Sequence, residues 1–489
     1  MAPGEKGLML IYCKSLKARS EQSGIEDMLI KRKRMSVGAE GRGDGFRQLY
    51  RQKEEQQMEL IEWILQDRNI DEGVKAVRRN KGAAGVDGMT VDELDAYFAL
   101  HREEIKTQIR EGRYRPSPVK RVYIPKADGR KRPLGIPTVT DRAVQQSVAQ
   151  ILSLGYEKYF SENSYGFRPG RSCQQAVEKA LEYLNEGYEW VVDLDIEKYF
   201  DTVNHDRLIS ILRERINDAK TLRLIRQFLR AGVMENGLES PNEEGMPQGG
   251  PLSPILSNVY LDKLDKELEA RGLHFVRYAD DCNIFVKSEM AADRVMKSIT
   301  GWLERKLRLK VSATKTKVVR PTKSRFLGFT FWKDREGWKC RPAEDRKRRL
   351  YDKTREILCR RKAAARPIKA TFEQLNRLIR GWINYYRIGS MKTFLDKYGQ
   401  WLRHKVRVVI LKQWKKSTRI YLNLQKLNRI IGCRFTHEEI YKVANSRLGW
   451  YKRSGMYVVN FAISPEILGR KTKSRPGLVD PLQYYLRNI

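Results

Sequence analysis

Two adjacent carboxylates, Asp280 and Asp281, lie between two short apolar segments at residues 275–279 and 282–286. The flanks predict two short strands, with the Asp pair in the tight turn that joins them. Like charges this close raise each other's proton affinity, so such a pair usually persists because a cation neutralises it. Carboxylate oxygens suit Mg²⁺ or Mn²⁺. A solvated surface hairpin is the alternative interpretation of these two residues taken alone.

A second carboxylate-bearing segment comes earlier, at residues 191–196, and contains Asp193 and Asp195. In a strand these two side chains would share a face, so one could bind a metal while the other is structural. Three carboxylates from a strand and a neighbouring hairpin can hold two divalent ions about 3.5–4 Å apart. Such a site would activate a hydroxyl and clamp a triphosphate. The pattern therefore predicts in-line phosphoryl transfer, in which positioning and charge neutralisation supply nearly all of the catalysis.

The composition indicates a partner that is a polyanion. The 489 residues include 96 Lys and Arg against 60 Asp and Glu, a net charge of +36 that is spread along the whole chain. A hydrophobic content of 41% is too high for a disordered polycation. Aromatic residues, at 10%, offer stacking surfaces for nucleic acid. Binding only to anionic membranes or acidic proteins is the alternative.

No apolar stretch approaches 18 residues, so no transmembrane helix is expected. The apolar residues 7–13 are too short and too poorly flanked for a signal peptide. The six cysteines contain no Cys-x-x-Cys pair and the five histidines are scattered. This distribution argues against structural zinc and a disulfide framework, and it favours a reducing compartment.

Composition divides the chain into four regions. Residues 1–55 are polar and basic, and we expect a flexible extension. Residues 56–335 alternate helical and strand patterns, as in an α+β catalytic core. The pattern in 336–410 is helical, and residues 411–489 are again basic and mixed.

One predicted helix of the third region has an apolar face and a basic outer face. The apolar face consists of Leu375, Leu378, Ile379, Trp382, Ile383 and Tyr386. Arg377 and Arg380 fall largely off this face. We expect the helix to dock on a core and its basic side to contact phosphates.

Several blocks of sequence occur in an order that is typical of one protein family. They are Gly-Val-Asp-Gly at 85–88, Ile-Pro-Lys at 124–126, Arg-Pro-Leu-Gly-Ile-Pro at 132–137, Tyr-Gly-Phe-Arg-Pro-Gly-Arg-Ser at 165–172, Asp-Ile-Glu-Lys-Tyr-Phe at 195–200, Gly-Met-Pro-Gln-Gly-Gly-Pro-Leu-Ser-Pro at 245–254, Tyr-Ala-Asp-Asp at 278–281, Lys-Thr-Lys at 315–317, Phe-Leu-Gly-Phe at 326–329 and Gly-Trp-Ile-Asn-Tyr-Tyr at 381–386. Through these blocks the chain resembles the reverse transcriptases, or maturases, encoded by group II introns. It is close to the compact, class C-like members that lack an endonuclease domain, and the resemblance extends over about residues 58–420.

The resemblance implies an α+β fold of the right-hand polymerase type. Fingers and a palm with an antiparallel sheet would occupy residues 56–335. A helical thumb or maturase X domain would follow at 336–410, and a small basic DNA-binding domain at 411–489. Larger family members carry an endonuclease with Cys pairs and clustered His. Because no such set follows residue 433, we expect no DNA cleavage by this chain.

The resemblance also implies the metal ligands. Asp195 and Asp280 would be the principal ligands, with the Ile196 carbonyl completing a site and Asp281 as the third carboxylate. Asp193 would be structural, because the family pattern places the catalytic Asp directly before the Ile. The cofactor would be two Mg²⁺ ions, for which Mn²⁺ can substitute.

Further residues would bind the incoming deoxynucleoside triphosphate. Phe200 would exclude a ribose 2′-hydroxyl, although a core aromatic is the alternative, and Gln248 would lie beneath the nucleotide, although a simple β-turn is the alternative. Lys126 and Arg132 would fold onto the triphosphate. Lys315 resembles a proton donor to pyrophosphate, with a surface lysine as the alternative.

Five residues are predicted to contact nucleic acid, namely Arg168, Arg171, Pro247, Arg377 and Arg380. For the first two arginines, organisation of the fingers is the alternative to a contact with the template backbone.

These expectations together describe an RNA-directed DNA polymerase that binds its parent intron RNA, assists splicing and supports intron mobility by target-primed reverse transcription. Its partners would be the intron RNA, an RNA template with a DNA primer, target DNA and dNTPs, with no membrane contact; the sequence leaves the oligomeric state open. It would work in a bacterial cytoplasm, at the nucleoid when acting on DNA. Two alternatives stay open: an intron-independent reverse transcriptase in defence or DNA repair, and an RNA-binding splicing factor with little polymerase activity.

Overall fold

The computed structural model of the protein describes residues 59–125, 129, 131–472 and 475–488. The chain divides into two compact units, of which the first ends at Arg320 and the second begins at Pro321. The predicted basic extension, residues 1–55, lies outside the described residues.

The first unit is mixed helix and strand. Its helices are α1 (Leu60–Ile64), α2 (Asp67–Asn80), α3 (Leu94–Arg110), α4 (Val139–Tyr156), α5 (Cys173–Asn185), α6 (Tyr199–Thr202), α7 (His205–Arg213), α8 (Ala219–Arg230), α9 (Ser253–Ala270) and α10 (Glu289–Trp302). Its strands are β1 (Val119–Pro125), β2 (Lys131–Ile136), β3 (Trp190–Leu194), β4 (Val233–Glu235), β5 (Leu238–Ser240), β6 (His274–Tyr278), β7 (Asp281–Val286) and β8 (Lys317–Val319).

These strands form two four-stranded sheets. The order of the first sheet is β2-β1-β4-β5, in which only the β1–β4 pair is parallel. The second sheet has the order β6-β7-β3-β8 and is antiparallel throughout. The hairpin predicted around the Asp pair is confirmed as β6–β7, and β3 from the other carboxylate segment lies directly beside it.

The second sheet is anchored in the core of the first unit. Helices α5 and α9 pack against β6, while α10 packs against β3 and β7. β6 and β7 are almost continuously buried, as expected of strands covered on both faces. Val192, Phe275 and Ile284 of this sheet share one hydrophobic core with Leu256 and Tyr260 of α9. The turn between β6 and β7 therefore joins two strands that are packed in the core of the first unit.

The second unit is a hairpin followed by helices. The strands are β9 (Phe329–Asp334) and β10 (Gly337–Pro342). The helices are α11 (Glu344–Ile357), α12 (Arg360–Ala365), α13 (Ile368–Tyr386), α14 (Lys392–Trp414), α15 (Ser417–Ile430), α16 (His437–Ala444), α17 (Trp450–Ser454), α18 (Tyr457–Ala462), α19 (Pro465–Gly469) and α20 (Pro481–Leu486). None of the helices in the described ranges has the length and apolarity needed to cross a membrane.

The division of the chain differs from the predicted domain boundaries. The boundary predicted at 335 falls in the turn between β9 and β10, whereas the compact units divide at Arg320. The boundary predicted at 410 falls inside α14, which continues to Trp414 without a break. The hairpin has a strand pattern like that of the preceding core, so composition placed the boundary after its first strand, and the four predicted domains remain a prediction.

The amphipathic helix predicted in the third region is confirmed as α13. Its buried side chains include Leu375, Ile379, Trp382, Ile383 and Tyr386. Arg377 and Arg380 are exposed on the other side.

Candidate active site

The β6–β7 hairpin turns through two residues, Ala279 and Asp280. Tyr278 pairs with Asp281 across the turn, and Ala279 has a φ of +58°. A positive φ at the first turn position is a property of the mirror-image turns that match the twist of two-residue hairpins. Asp280 is half-buried in the turn and Asp281 is exposed at the start of β7.

Gly166 allows the chain to pass directly against this turn. A Cβ atom at Gly166 would lie 2.2 Å from the Ala279 nitrogen, which no other residue could accommodate without moving backbone. The neighbouring Tyr165 N–H donates to the Arg277 carbonyl at 2.9 Å, so the segment is paired to the edge of β6. The Tyr-Gly-Phe block is thus a backbone support for the Asp-bearing turn.

A buried arginine supports the same turn from inside. Arg277 is fully buried, and its Nε and Nη2 atoms donate to the two Asp265 carboxylate oxygens at 2.7 and 2.5 Å. Its guanidinium also donates to the Ala279 carbonyl at 2.9 Å and to the Ser164 hydroxyl at 2.8 Å. Burial works against the charged guanidinium, but the Asp265 carboxylate more than offsets it, and the pKa of Arg277 stays above its ordinary value.

Asn258 links the two supports. Its side-chain amide donates to the Gly166 carbonyl at 2.8 Å, and its Oδ1 accepts from Arg277 Nη1 at 3.2 Å. Asn258 is fully buried, like Asp265 on the same helix α9. We call Ser164, Asn258, Asp265 and Arg277 the Arg277 network.

Asp195 follows β3 directly and stands beside the hairpin. β3 and β7 are antiparallel, with Leu194 opposite Cys282. Continuing this register by one residue brings Asp195 level with Asp281, next to Asp280. The Asp195 backbone is fixed by Ser312, whose N–H donates to its carbonyl at 2.9 Å.

A lysine ammonium contacts the Asp195 carboxylate. Lys315 Nζ lies 2.9 Å from Asp195 Oδ1 and 3.1 Å from Oδ2. The Lys315 side chain is 56% exposed and that of Asp195 is 33% exposed. The structure therefore places both predicted residues at one solvent-accessible point.

Ile196 is positioned by backbone hydrogen bonds of the residues directly before and after it. Its side chain is buried, and it forms an isolated antiparallel bridge with Val311. The hydrogen bonds of that bridge use the Asp195 carbonyl and the N–H of Glu197. The Ile196 carbonyl takes no part in the bridge.

The chemistry of the acidic residues fits a divalent cation. Asp195 comes one residue after the Leu194–Cys282 pair, Asp281 begins β7, and Asp280 lies in the turn between β6 and β7. Carboxylate oxygens are the ligands that Mg²⁺ prefers. The ammonium of Lys315 on Asp195 shows that a cation is favourable at this point. Within the described part of the chain, however, no three His, Cys, Asp or Glu side chains converge closely enough to form a ready-made metal site.

The Pro-Gln-Gly-Gly loop is attached to β2. The Gly135 N–H donates to the Gln248 carbonyl at 2.8 Å, and Arg132 Nε donates to Gln248 Oε1 at 2.8 Å. Gly249 has a φ of +135°, and a Cβ there would lie 2.3 Å from the Gly135 oxygen. The structure thus brings two of the five residues predicted to bind the nucleotide, Arg132 and Gln248, into contact. Another of the five, Lys126, lies outside the described residues.

Phe200 is held by the start of the same loop. It is partly buried against the core, edge-on to Tyr199 at a ring distance of 5.1 Å. Its carbonyl accepts the N–H of Met246 at 2.6 Å. Gly245, with a φ of +85°, is required because a Cβ would lie 2.8 Å from the Phe200 oxygen. The carbonyl of Pro247, farther along, accepts from the Ser253 hydroxyl at 2.8 Å.

The nucleic-acid contact predicted for Arg168 is corrected by its burial. Only 3% of Arg168 is exposed, and its guanidinium donates to Glu157 at 2.9 Å and to the carbonyls of Ser161 and Ser164. A guanidinium with these internal partners organises the fold instead of reaching a template. Arg171 keeps a partly exposed side chain and pairs with Glu162.

The predicted contacts on α13 are accessible. Arg377 and Arg380 are exposed, and the Arg380 guanidinium lies 5.9 Å from the centre of the Tyr484 ring. Their predicted role in binding nucleic acid remains a prediction, as does that of Pro247.

Sequence reasoning missed the Arg277 network. One signal was available, since Arg277 interrupts the apolar strand Phe275-Val276 just before the Asp pair. Asp265 lies on the apolar side of its helix, one residue after Leu264 and three before Leu268, all buried. A charged residue at a core position of a strand and another on a core helix face predict a buried ion pair.

Two family sequence models match the chain. The model described as "Reverse transcriptase (RNA-dependent DNA polymerase)" matches residues 124–331. The model described as "Group II intron, maturase-specific domain" matches residues 347–428. The first match contains Asp195, Asp280 and Asp281, and the second contains Arg377 and Arg380.

Curated relatives agree with these matches. Protein YkfC of Escherichia coli K12 is 33% identical over 299 residues, which cover 53% of this chain and 78% of the relative. The group II intron-encoded protein LtrA of Lactococcus lactis subsp. cremoris is 30% identical over 404 residues, covering 64% of this chain and 67% of the relative. Nuclear intron maturase 4 of Arabidopsis thaliana is 31% identical over 144 residues, which cover 29% of this chain and 18% of the relative.

Proposed function

Because this chain belongs to the group II intron-encoded reverse transcriptases, RNA-directed DNA polymerases with a maturase domain that assists splicing, we propose that its polymerase site is built from Asp195, Asp280 and Asp281. One observation carries the assignment. The β3–β7 register, continued by one residue past the Leu194–Cys282 pair, supports Asp195 beside Asp281, and Gly166 and the Arg277 network support the turn that holds Asp280. Three carboxylates on rigid, adjacent strand ends are what two-metal nucleotidyl transfer requires.

Two Mg²⁺ ions, or Mn²⁺ in their place, are the proposed cofactor. Asp195, Asp280, Asp281 and the Ile196 carbonyl would hold them. Bound there, the ions would supply charge neutralisation for phosphoryl transfer. Lys315 would leave the Asp195 carboxylate when the ions engage it, and its released ammonium would donate a proton to the departing pyrophosphate.

Nucleotide selection would fall to residues fixed by the Pro-Gln-Gly-Gly loop. Arg132, whose Nε donates to Gln248 Oε1 at 2.8 Å, would bind the triphosphate, and so would Lys126. Gln248 itself is fixed to β2 through its carbonyl and would support the incoming nucleotide from below. Phe200, fixed through its own carbonyl, would exclude a ribose 2′-hydroxyl.

The maturase part of the function would depend on the second unit. Its exposed α13 arginines, Arg377 and Arg380, offer cations for the phosphates of the parent intron RNA. The RNA would carry out the splicing chemistry, while the protein stabilises its fold. We further propose an RNA template with a DNA primer, target DNA and dNTPs as substrates, and intron mobility in the bacterial cytoplasm as the setting.

A primer-extension assay tests the site. Wild-type protein should extend a DNA primer on an RNA template in Mg²⁺. Asp280→Ala should lower the rate by about 10²-fold or more, since a lost metal ligand removes several kcal/mol of transition-state stabilisation. Asp293→Ala is the matched control, because Asp293 is an exposed acid on α10. Equal rates for the two variants would reject the assignment, and intron RNA binding without extension by wild type would favour a pure splicing factor.

A further inference from the structure

A cavity of about 190 Å³ lies within the second unit, between the end of α11, the start of α12 and the middle of α14. One part of its wall is apolar and includes Leu358, Trp401 and Val409. The other part carries three cations, Arg355, Arg360 and Lys405. Among the described residues, no acidic side chain lines the cavity.

The cations are only partly neutralised. Arg355 pairs with Asp352 at 2.7 Å, but neither Arg360 nor Lys405 has a carboxylate partner among the residues that the structure describes. Lys405 is partly buried, with its Nζ 4.9 Å from the centre of the Tyr451 ring and 5.9 Å from that of Trp401. Burial, then Arg360 and Arg355, lower the pKa of Lys405. An anion in the cavity would offset the repulsion between the positive charges of Lys405, Arg360 and Arg355.

Two kinds of ligand chemistry are therefore offered side by side. Trp401 is the aromatic side chain of the wall and is partly exposed, whereas Leu358 and Val409 beside it are almost fully buried. The Trp401 ring is therefore the surface on which a nucleobase can stack, and stacking of this kind is tolerant of base identity. Arginine and lysine beside it match a phosphate oxygen. A concave site of this size accepts only a base that is free of a double helix, as is common in the recognition of RNA loops and bulges.

We propose that this cavity binds one unpaired nucleotide of an RNA, with the base against the Trp401 ring and the phosphate against Arg360 and Lys405. The proposal rests on the proposed binding of intron RNA and assigns it a specific pocket. It is separate from the exposed arginines of α13, which meet phosphates on an open surface.

Cys359 makes the site testable in the wild-type protein, because it lines the cavity and its side chain is exposed. Cys433 is also exposed and serves as the internal reference. The full chain is alkylated with N-ethylmaleimide and the modification rate of each cysteine is followed by mass spectrometry. A saturating single-stranded oligoribonucleotide should slow alkylation of Cys359 by at least several-fold while Cys433 reacts as before.

Two further probes identify the ligand. Blunt duplex RNA and free adenosine monophosphate at equal nucleotide concentration should leave Cys359 reactive. Protection by the duplex would refute an unpaired base, and protection by the mononucleotide would make this a small-molecule site. RNA that binds without protecting Cys359 would overturn the pocket alone, whereas failure to bind any RNA would overturn the proposed RNA-binding function and the pocket with it.

A pair of variants adds an affinity measurement. Lys405→Met should lower single-stranded RNA affinity by about tenfold, the effect of one charge-assisted phosphate contact, and should abolish Cys359 protection. Lys397→Met is the matched control, since Lys397 is an exposed lysine of the same helix that does not line the cavity. Equal affinities for the two variants would reject the phosphate contact.

Discussion

Replacing Asp265 by Ala would leave the guanidinium of Arg277 buried without its carboxylate partner. Arg277 would lose two of its hydrogen bonds and keep those to Ser164, Asn258 and the Ala279 carbonyl. Breaking a buried ion pair from one side costs about 3–5 kcal/mol, because the remaining charge is neither solvated nor paired. We therefore expect the unfolding free energy of the first unit to fall by about that amount.

We expect the β6–β7 hairpin to open at a lower free energy than the rest of the first unit, because Arg277 donates directly to the Ala279 carbonyl in its turn. Native-state hydrogen exchange, read by mass spectrometry on peptides from β6 and β7, reports opening of this hairpin separately from the second unit. Lys263→Ala is the matched control on the same helix, where it removes an exposed pair with Glu214. That change should cost no more than about 1 kcal/mol.

Polymerase activity adds a second measurement, which would not change if Asp265 only stabilised the fold. Asp265→Asn keeps the side-chain volume and one acceptor, so we expect a folded variant with a looser turn. Its kcat for primer extension should fall while KM for the primer–template changes little, because the network contacts the Asp-bearing turn and not the nucleic acid. Exchange rates for Asp265→Ala equal to those of Lys263→Ala, or an unchanged kcat for Asp265→Asn, would refute the positioning role.

Three further variants test other contacts of the first unit. Gly166→Ala should reduce primer extension by at least about tenfold, because its Cβ would meet the Ala279 nitrogen at 2.2 Å and displace the turn. Phe200→Ala should admit ribonucleotides more readily, measured as the ratio of kcat/KM for dNTP and rNTP. Burial, followed by the nearby Asp265 charge, raises the pKa of Asp262 from 3.8 to about 6. The folded state thus holds this proton more tightly than the unfolded state, so stability falls as the pH rises from about 4 to 6 and stays lower above that. Asp262→Asn should stabilise the protein by about 1–3 kcal/mol at pH 8 and by less as the pH falls below 6, measured by urea unfolding.

Each of these tests has a control and a contrary result. Gly155→Ala introduces a Cβ with no atom within 4 Å, and equal activity of the two Gly variants would show that the turn tolerates displacement. Unchanged sugar discrimination in Phe200→Ala would remove that residue as the steric gate. A stability gain for Asp262→Asn that is the same at pH 5 and pH 8 would contradict the raised pKa.

The hairpin and the amphipathic helix α13 could be predicted because their signals are local. Alternating or helical spacing of apolar residues sets which face of an element is buried, and this holds within a dozen residues. The Arg277 network could not be found this way, since Ser164 is 113 positions from Arg277 in the sequence. For Arg168 the sequence left a template contact and organisation of the fingers as alternatives, because its partners, the carbonyls of Ser161 and Ser164, become known only from the fold.

The arrangement of the acidic residues was predicted only in outline. The sequence supplied Asp195 on one strand and Asp280 and Asp281 on a neighbouring hairpin, and the strand order β6-β7-β3-β8 adds that β3 lies directly beside β7. The contact between Arg132 and Gln248 likewise depends on pairing of the Pro-Gln-Gly-Gly loop with β2, over 116 positions of sequence. Long-range register is set by packing of the whole core, which no local pattern encodes.

Two cations beside the acidic residues have opposite properties, and the contrast bears on how the site would accept metal ions. Arg277 is fully buried, and its guanidinium makes a two-pronged contact with the buried Asp265 carboxylate. Lys315 is 56% exposed, and an exposed ion pair of this kind contributes only about 0–1 kcal/mol. A divalent cation competing for Asp195 would therefore displace Lys315 at little cost, while the turn that carries Asp280 stays fixed from beneath. One cation, Arg277, would thus support the turn, while a different cation, Lys315, would give up its place on Asp195 to a metal ion.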